Sequence, residues 1–324
     1  MKTHVLVTGG AGFIGSHLCE KLLDEGYLVT CLDNFDEYYP KVFKLNNINN
    51  AAQNPRFRLV EGDILDENLV RNLLTSAMDD FEPPAVVIHL AALAGVRPSI
   101  DSPARYARVN VEGTAILLEE ARKSSVAQFI FGSTSAVYGD SAQIPFKESD
   151  AVGHPLSPYA ATKRSAELVC WTCHILHNLP ITVLRFFTVY GPRQRPDMAI
   201  HKFTRLISEG NEISMYGDGE SARDYTYVCD IVNGILGAVR YPVGYEVINL
   251  GGAQPVKLRD LITSLGTVLG SKVKIKKHPD QQGDVAITSA DITKAERLLS
   301  YRPETELFKG LKYFWDWFRE YDRK

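Results

Sequence analysis

The segment from Thr8 to Gly15, Thr-Gly-Gly-Ala-Gly-Phe-Ile-Gly, constrains the fold of this chain more than any other stretch. It follows a short apolar run, Val5 to Thr8, and precedes an amphipathic helical pattern. A glycine-rich loop between a strand and a helix lets the backbone approach a pyrophosphate, which then lies at the N-terminus of the helix. The spacing Gly9-x-x-Gly12-x-x-Gly15 is one residue longer than the usual dinucleotide-binding pattern, but the strand–loop–helix context supports the same interpretation.

Strands and helices alternate through the first half of the chain. Strand patterns lie at 5–8, 28–32, 57–60, 85–90, 127–131 and 181–185, and later helices are predicted at about 66–78, 102–123 and 158–177. Such alternation is typical of βαβ units and predicts an α/β fold, a Rossmann-type doubly wound parallel sheet with a smaller C-terminal α/β substrate lobe. We place the sheet domain at residues 1–186 and the lobe at 187–324, and expect some segments of the lobe to return to the first domain. In the lobe, helices are predicted near 198–208, 229–240, 257–269, 291–299 and 308–321, and strands near 213–216, 246–250 and 273–276.

Acidic and hydroxyl side chains stand where the predicted strands end. The second strand ends in Asp33, near the position, about 20 residues after the glycine loop, at which a carboxylate binds the ribose of a dinucleotide. Asp33 favours NAD over NADP because it would repel a 2′-phosphate, and Asn34 follows where an NADP enzyme would place an arginine. Asp63, the pair Ala91-Ala92 and Thr134 also follow strands. Because ligands of parallel sheets bind at the carboxyl ends of the strands, we expect one binding site there.

Tyr159 and Lys163 lie four residues apart on the helix predicted after Ser157, so their side chains share one face. Ser157 is a suitable N-cap for this helix, and Pro158 is a suitable first residue. A tyrosine hydroxyl titrates near pH ~10 and is a poor base at neutrality, but a neighbouring ammonium favours the phenolate and lowers that pKa. The pair is therefore a candidate general base with its activating cation.

Several motifs occur together in the order found in one family. Thr8 to Gly15, Thr134, Tyr159 with Lys163, and Arg223-Asp224-Tyr225 resemble the extended short-chain dehydrogenase/reductase family, among its nucleotide-sugar epimerases and dehydratases. The resemblance implies NAD as cofactor, with Tyr159 as the base, Lys163 holding that base and the NAD ribose, and Thr134 hydrogen-bonded to a sugar hydroxyl. The NAD contacts that it implies are Gly9, Gly12, Phe13, Ile14, Asp33, Asn34, Asp63, Ile64, Leu90, Ala91, Ala92, Asn110, Ser133, Tyr159, Lys163 and Phe186.

The two residues after Thr134 separate the reactions of this family. Its 4,6-dehydratases place Asp-Glu after the threonine, and its UDP-glucuronate decarboxylases place a glutamate two residues after it. Here Ser135 and Ala136 occupy these positions, so the carboxylate that would act as acid or base in those reactions is missing. What remains suffices to oxidise one carbon and reduce it again, which is epimerisation.

Three further stretches, 33–39, 94–97 and 190–199, are similar to UDP-glucuronate 4-epimerases in particular. The resemblance assigns Arg195, Thr188 and Ser135 to the C6 carboxylate of the sugar, and a planar guanidinium does pair with a carboxylate through two hydrogen bonds. Neutral-sugar epimerases tend to have an asparagine in place of Thr188. The implied substrate contacts are Arg97, Ser135, Thr188, Arg195, Lys202, Met215, Arg223 and Asp284, of which Arg223 and Asp284 match the family's contacts to the phosphate and ribose of UDP.

Other functions stay open on the sequence alone. They are a neutral UDP-glucose or UDP-N-acetylglucosamine 4-epimerase, a UDP-glucuronate decarboxylase, and a non-catalytic NAD-binding sensor. A sensor would be expected to have lost part of the set formed by Thr134, Tyr159 and Lys163, which is intact here.

The composition limits the classes of binding partner and the cellular location that we expect. A net charge of −3 gives no indication of a nucleic-acid or membrane-surface partner, and no apolar run reaches the ~18 residues of a membrane span. The first residues show no signal-peptide pattern, and the five scattered cysteines predict free thiols, so we expect a cytoplasmic protein.

The string from Cys170 to His174 matches a haem-attachment pattern, but it continues the Tyr159 helix, and we predict neither haem nor metal. The resemblance implies a homodimer that acts on a UDP-sugar and pairs through the Tyr159 helix and the helix before it.

Overall fold

A parallel β-sheet forms the centre of the molecule. The computed structural model describes residues 3–75, 81–124, 126–140, 143–242, 244–279 and 285–321. The strands are β1 (His4–Thr8), β2 (Leu28–Asp33), β3 (Phe57–Glu61), β4 (Val86–His89), β5 (Gln128–Thr134), β6 (Ile181–Phe186), β7 (Thr188–Tyr190), β8 (Glu212–Tyr216), β9 (Ala222–Tyr227), β10 (Tyr245–Leu250), β11 (Pro255–Lys257) and β12 (Lys274–His278). The α-helices are α1 (Phe13–Asp24), α2 (Lys41–Ile48), α3 (Glu67–Thr75), α4 (Val96–Asp101), α5 (Pro103–Ala107), α6 (Gly113–Lys123), α7 (Pro158–His177), α8 (Ala199–Ser208), α9 (Val228–Arg240), α10 (Leu258–Leu269), α11 (Thr293–Leu299) and α12 (Leu307–Tyr321).

The central sheet confirms the predicted Rossmann-type fold. In the described part of the chain its order is β10-β6-β5-β4-β1-β2-β3, and all neighbouring pairs are parallel. The order reverses between β1 and β4, and a ligand crevice opens at such a switch point. In β1, Val5 and Val7 belong to the apolar cluster on one face, whereas Leu6 belongs to the cluster on the other. Helices cover both faces, which is why the strand is apolar at these positions.

The smaller lobe contains two further sheets, β11-β9-β7 and β12-β8. It does not hold the whole of the chain after residue 187, because β10 pairs in parallel with β6 and completes the edge of the central sheet. The boundary at 186/187 therefore stays a prediction about domains, while the sheet itself takes strands from both sides of it. None of the helices in the described ranges is both long and apolar enough to cross a membrane.

The helix predicted at 102–123 is confirmed as a continuous helical run from Pro103 to Lys123, but it contains a π-helical turn that was not predicted. α4 and α5 precede a π-helical turn at Arg108–Glu112, and α6 follows. The turn places Asn110 in the interior, where its Oδ1 accepts from the backbone N–H of Leu93 at 2.8 Å and its Nδ2 donates to the carbonyl of Leu93 at 3.0 Å. A π-helical turn adds a residue without changing the apolar spacing enough for a periodicity argument to detect it.

Helix α2 was not predicted, because its sequence is rich in asparagine, which has a low helix propensity. Tertiary contacts stabilise it instead. The Lys44 ammonium lies 3.1 Å from the Asp33 carboxylate at the end of β2, and the Asn47 amide donates to the carbonyl of Ala11 in the glycine loop at 3.1 Å. α2 is thus held by the two segments that it borders.

Helix α7 is anchored to the sheet by Glu167, whose side chain is fully buried. The carboxylate accepts hydrogen bonds from Nε and Nη2 of Arg185 on β6, at 2.9 and 2.8 Å, and from the hydroxyl of Ser133 on β5, at 2.6 Å. Burial alone would raise the pKa of Glu167, but the hydrogen bonds from Arg185 and Ser133 outweigh it and hold that pKa below its usual value. The ionised pair therefore ties the helix to two strands at once.

Glu167→Ala is expected to lower the free energy of unfolding by about 3–5 kcal/mol, because it leaves the Arg185 guanidinium buried without its partner. Urea denaturation followed by circular dichroism measures the change. The control is Glu112→Ala, which removes an exposed carboxylate 3.9 Å from Arg108 and should cost less than about 1 kcal/mol. Equal effects of the two substitutions would contradict the anchoring role of Glu167.

Candidate active site

A cavity of about 620 Å³ opens at the carboxyl ends of the central strands, between the sheet and the smaller lobe. Its size lies within the range of cofactor and ligand sites. The structure brings to it most of the residues predicted from the sequence to contact NAD. These are Gly9, Gly12, Phe13, Ile14, Asp33, Asn34, Asp63, Ile64, Leu90, Ala91, Ala92, Ser133, Tyr159, Lys163 and Phe186.

The glycine loop has a shape that suits a pyrophosphate. Gly9 has a φ of +71°, and a Cβ there would lie 2.7 Å from the backbone nitrogen of Ala91, so a larger residue would separate β1 from β4. A Cβ at Gly15 would collide with the carbonyl oxygen of Gly9. Gly12 is the N-cap of α1 and no side chain caps this helix, so the first-turn N–H groups of residues that line the cavity are left for an anion. The loop therefore fits a dinucleotide.

Asp33 is oriented by three neighbours. Its carboxylate accepts from the backbone N–H groups of Ala11 at 3.1 Å and Phe35 at 2.9 Å, and it pairs with Lys44 at 3.1 Å. Both Asp33 and Lys44 line the cavity. Lys44 was missed in the sequence because only the fold of α2 brings it next to Asp33. The end of the cavity at which the sequence predicts ribose binding thus carries an ion pair rather than an isolated carboxylate.

Tyr159, Lys163 and Thr134 meet at the centre of the cavity. Tyr159 and Lys163 share the face of α7 that the sequence predicted, and Thr134 at the end of β5 is close enough to the Tyr159 hydroxyl to act on its pKa. The Lys163 ammonium donates to the carbonyl of Gly132 at 2.7 Å and lies 4.7 Å from the centre of the Phe131 ring. The three side chains predicted from the sequence to act together are thus neighbours at the carboxyl end of β5.

The pKa of Tyr159 differs from the sequence-based expectation. Burial dominates and raises this pKa above its usual value, while the hydrogen bond to Thr134 and the charge of Arg195 act to lower it. The sequence predicts that Lys163 lowers this pKa, but the ammonium of Lys163 is directed to Gly132. Burial also lowers the pKa of Lys163 itself, to about 8. Arg195, from the smaller lobe, is thus the cation that favours the phenolate here.

Five of the predicted substrate contacts, Arg97, Ser135, Thr188, Arg195 and Arg223, line the same cavity. Two other predicted substrate contacts, Lys202 and Met215, are not among the described residues that line it.

Lys202 is exposed on α8, and Met215 is buried in the apolar core of the smaller lobe. Both were inferred from resemblance, and neither is among the described residues of the cavity wall. Asn110, predicted to contact the cofactor, is also absent from that wall, because its amide is used on Leu93 and on Thr162. Asp284 lies outside the described residues.

The position of Arg223 is explained by its neighbour Asp224. Asp224 is fully buried on β9, and its carboxylate accepts from the backbone N–H groups of Gly252 at 2.6 Å, Ala253 at 3.0 Å and Ala290 at 2.9 Å. Side chains alternate along a strand, so a buried Asp224 directs Arg223 toward the cavity. Asp224 is therefore a structural residue that fixes two loops and positions Arg223.

Several cavity residues were missed in the sequence, among them Tyr38, Tyr39, Phe187, Met198 and Thr288. Tyr38, Tyr39 and Met198 stand within stretches that the resemblance singled out, which was the available signal. Phe187 and Thr288 come from loops of the smaller lobe and carry no spacing pattern. Within the described ranges, no group of three or more histidine, cysteine or acidic side chains could hold a metal ion.

Comparisons with known proteins agree with this site. Residues 5–251 match the family described as the NAD dependent epimerase/dehydratase family. A UDP-glucuronate 4-epimerase of Thermodesulfobacterium geofontis is 41% identical over 320 residues, covering 98% of this chain and 96% of that protein.

Two solved structures are similar over nearly the whole chain. The UDP-glucuronic acid 4-epimerase of Bacillus cereus, in complex with UDP-glucuronic acid and NAD, has a TM-score of 0.90 and 37% identity over 98% of this chain and 99% of that one. The UDP-glucose 4-epimerase of Thermotoga maritima, with UDP-glucose, has a TM-score of 0.88 and 34% identity over the same shares.

Lys163 is expected to titrate near pH 8, because burial disfavours its ammonium. Between that pH and about 10.4, where an unfolded lysine titrates, the unfolded chain binds a proton that the folded chain does not, so this group adds to the free energy of unfolding as the pH rises. NMR of protein with ¹³C-labelled lysine should show one Cε resonance titrating near pH 8. That resonance should be missing from Lys163→Arg. Titration of every lysine above pH ~10 would contradict the assignment.

Proposed function

The chain belongs to the NAD dependent epimerase/dehydratase family, and on that basis we propose that it is a UDP-glucuronate 4-epimerase, which interconverts UDP-glucuronate and UDP-galacturonate with NAD as its cofactor. The observation that carries the proposal is Arg195. This guanidinium lines the cavity and is close enough to Tyr159 to affect its pKa. A cation beside the base is suited to a sugar that carries a carboxylate next to its reacting carbon.

The residues after Thr134 support epimerisation over the other reactions. Ser135 and Ala136 form a short turn that lines the cavity. The Thr134 hydroxyl accepts from the backbone N–H of Ala136 at 3.2 Å, which fixes the turn against β5. Neither residue can donate or accept a proton as a carboxyl group does, so the wall beside the base offers no acid for an elimination.

The chemistry assigned to the chain is proton transfer and substrate retention. Tyr159, as phenolate, takes the proton of the C4 hydroxyl, directly or through Thr134. It returns the proton after the 4-keto sugar has rotated so that its other face is presented. NAD, where it is bound, would supply reversible hydride chemistry at C4. Asp33, Lys44 and the glycine loop would hold the dinucleotide. Arg223 would bind the diphosphate while the sugar reorients.

Arg195 would also prevent the intermediate of this reaction from losing CO₂. The intermediate is a β-keto acid, which loses CO₂ readily when the bond from C5 to the carboxylate aligns with the carbonyl π-system. Arg195, with Thr188 and Ser135 completing the carboxylate's hydrogen bonds, would keep that bond out of alignment. The same residues therefore set both the substrate and the product of the reaction.

A homodimer is also part of the proposal. Leu168, Trp171 and Ile175 form an exposed apolar stripe on α7, with exposed fractions of 50, 45 and 55%, and Leu176 beside it is 71% exposed. A second copy of the chain would cover this stripe and stabilise the helix that carries Tyr159. We also place the protein in the cytoplasm, a location that suits its five free cysteines.

NMR of UDP-glucuronate incubated with the purified protein should show UDP-galacturonate forming without added reductant. Tyr159→Phe should lower kcat by about two orders of magnitude or more, because it removes the base and little volume. Turnover of UDP-glucose but not of UDP-glucuronate would contradict the uronate assignment and favour a neutral-sugar epimerase. Activity of Tyr159→Phe equal to that of the wild type would rule out Tyr159 as the base.

Arg195→Ala should raise the KM for UDP-glucuronate by about 10-fold to 100-fold, since a hydrogen bond to a charged group contributes roughly 1.5–3 kcal/mol. It should also release CO₂ and a UDP-4-keto-pentose, which mass spectrometry detects. Arg319→Ala, on the far helix α12, is the matched control and should leave both unchanged. An unaltered KM with no pentose from Arg195→Ala would refute the carboxylate clamp.

A further inference from the structure

Arg195 does not approach the cavity alone. Its Nε and Nη2 donate to the two oxygens of Asp197, at 2.9 and 3.0 Å, so that one edge of the guanidinium is fully used. Tyr38 donates its hydroxyl to the same carboxylate at 3.2 Å, and the guanidinium lies 5.3 Å from the centre of the Tyr38 ring. Arg195 is therefore held in its plane by Asp197 and from one face by Tyr38.

The position of Asp197 suits a support rather than a substrate contact. Arg195 and Tyr38 line the cavity, whereas Asp197 is not among the described residues of its wall. A guanidinium has two edges, and the edge turned to Asp197 carries Nε and Nη2. The opposite edge, with Nη1 and the second hydrogen of Nη2, is left for a ligand on the cavity side. A bidentate pair on that edge is the arrangement that a carboxylate prefers.

The protonation states keep this support in place at neutral pH. Burial raises the pKa of Tyr38 to about 12, so its hydroxyl remains a donor. Burial alone would raise the pKa of Asp197, but the hydrogen bonds from Arg195 outweigh it and keep that pKa below its usual value. Asp197 is therefore ionised, and Arg195 is oriented before any ligand arrives.

The support joins the three stretches that resemble UDP-glucuronate 4-epimerases. Tyr38 comes from 33–39, and Arg195 and Asp197 come from 190–199. The stretch 94–97 contributes Gly95, which has a φ of +105°; a Cβ there would lie 2.7 Å from the Tyr38 hydroxyl oxygen. Segments far apart in the chain thus meet around one guanidinium. Residues from the sheet domain and from the smaller lobe thus contribute to the same local structure around Arg195.

We propose that Asp197 and Tyr38 are positioning residues that fix the guanidinium of Arg195, so that its free edge selects a substrate with a carboxylate and holds that carboxylate during the reaction. This inference rests on the proposed function. It assigns specificity to the orientation of Arg195 rather than to its charge, because the charge of Arg195 is already balanced by Asp197. Neither residue needs to touch the sugar.

The test compares Asp197→Asn, Tyr38→Phe and the wild type in three measurements: KM and kcat for UDP-glucuronate, the fraction of turnovers that release CO₂, and the affinity for UDP alone. Asp197→Asn should raise the KM about tenfold and increase the released CO₂, because an amide has one acceptor oxygen and its NH₂ group would face the second donor of Arg195. Tyr38→Phe keeps the ring and should have a smaller effect in the same direction. Affinity for UDP should stay within about twofold in both variants.

A matched control and a double variant separate positioning from folding. Asp316→Asn removes the carboxylate of an exposed pair with Arg319 on α12 and should change none of the three measurements. In an Arg195→Ala background, Asp197→Asn should have no further effect on KM, since the group that it positions is gone.

The outcomes distinguish the inference from the function on which it rests. A wild type that does not convert UDP-glucuronate would refute the proposed function. The inference would then fail with it, because there would be no substrate carboxylate for Arg195 to bind. A wild type that does convert it, with Asp197→Asn unchanged in KM and CO₂ release, would refute the inference alone. A parallel loss of UDP affinity in Asp197→Asn would also refute it, because a general structural defect would then explain the effect.

Discussion

The buried contact between Glu167 and Arg185 is the interaction on which the site depends. It costs the desolvation of two charges, and this cost is offset because Arg185 donates two hydrogen bonds to the carboxylate, Ser133 a third and Arg164 of α7 a fourth. Ser133 lies on β5 and Arg185 on β6, so the contact fixes the rotation of α7 relative to the strand ends. Lys163 and Tyr159 lie about one and two turns before Glu167 on the same helix. Their distance from Thr134 is therefore set by a pair that takes no part in chemistry.

The electrostatics of the cavity follow from how each charge is balanced. Lys44 is balanced by Asp33 at the dinucleotide end, and Arg195 by Asp197 at the sugar end. Lys163 has only a carbonyl and a ring as its near contacts among the described residues, which is why burial lowers its pKa. The cavity, which we propose binds a sugar nucleotide with a charged diphosphate and a carboxylate, thus presents pre-oriented donors rather than a large excess of positive charge. Because these side chains are already oriented, little further free energy is needed to order them when a ligand binds.

Part of this arrangement is predictable from the sequence. The parallel sheet, the glycine loop, Asp33 and the pairing of Tyr159 with Lys163 all depend on local spacing, and local spacing is readable along the chain. The π-helical turn at 108–112, helix α2 and the strands β7, β9 and β11 of the smaller lobe have no such local signal. Contacts to distant segments stabilise them, such as Asn110 with Leu93 or Lys44 with Asp33. In these segments tertiary packing overrules propensity.

The sequence by itself determined the class of fold, the shared helix face of Tyr159 and Lys163, and the absence of a carboxylate in the two residues after Thr134, because these are properties of neighbouring residues. Only the tertiary structure decided which cation acts on Tyr159 and that Tyr38 and Asp197 contact Arg195. It also showed that Asn110 is hydrogen-bonded to Leu93 and that Met215 is buried in an apolar cluster. Tyr38 and Asp197 are separated by 159 positions in the chain. A hydrogen bond between them has no signature in local composition or periodicity, since it exists only after both lobes have packed against each other.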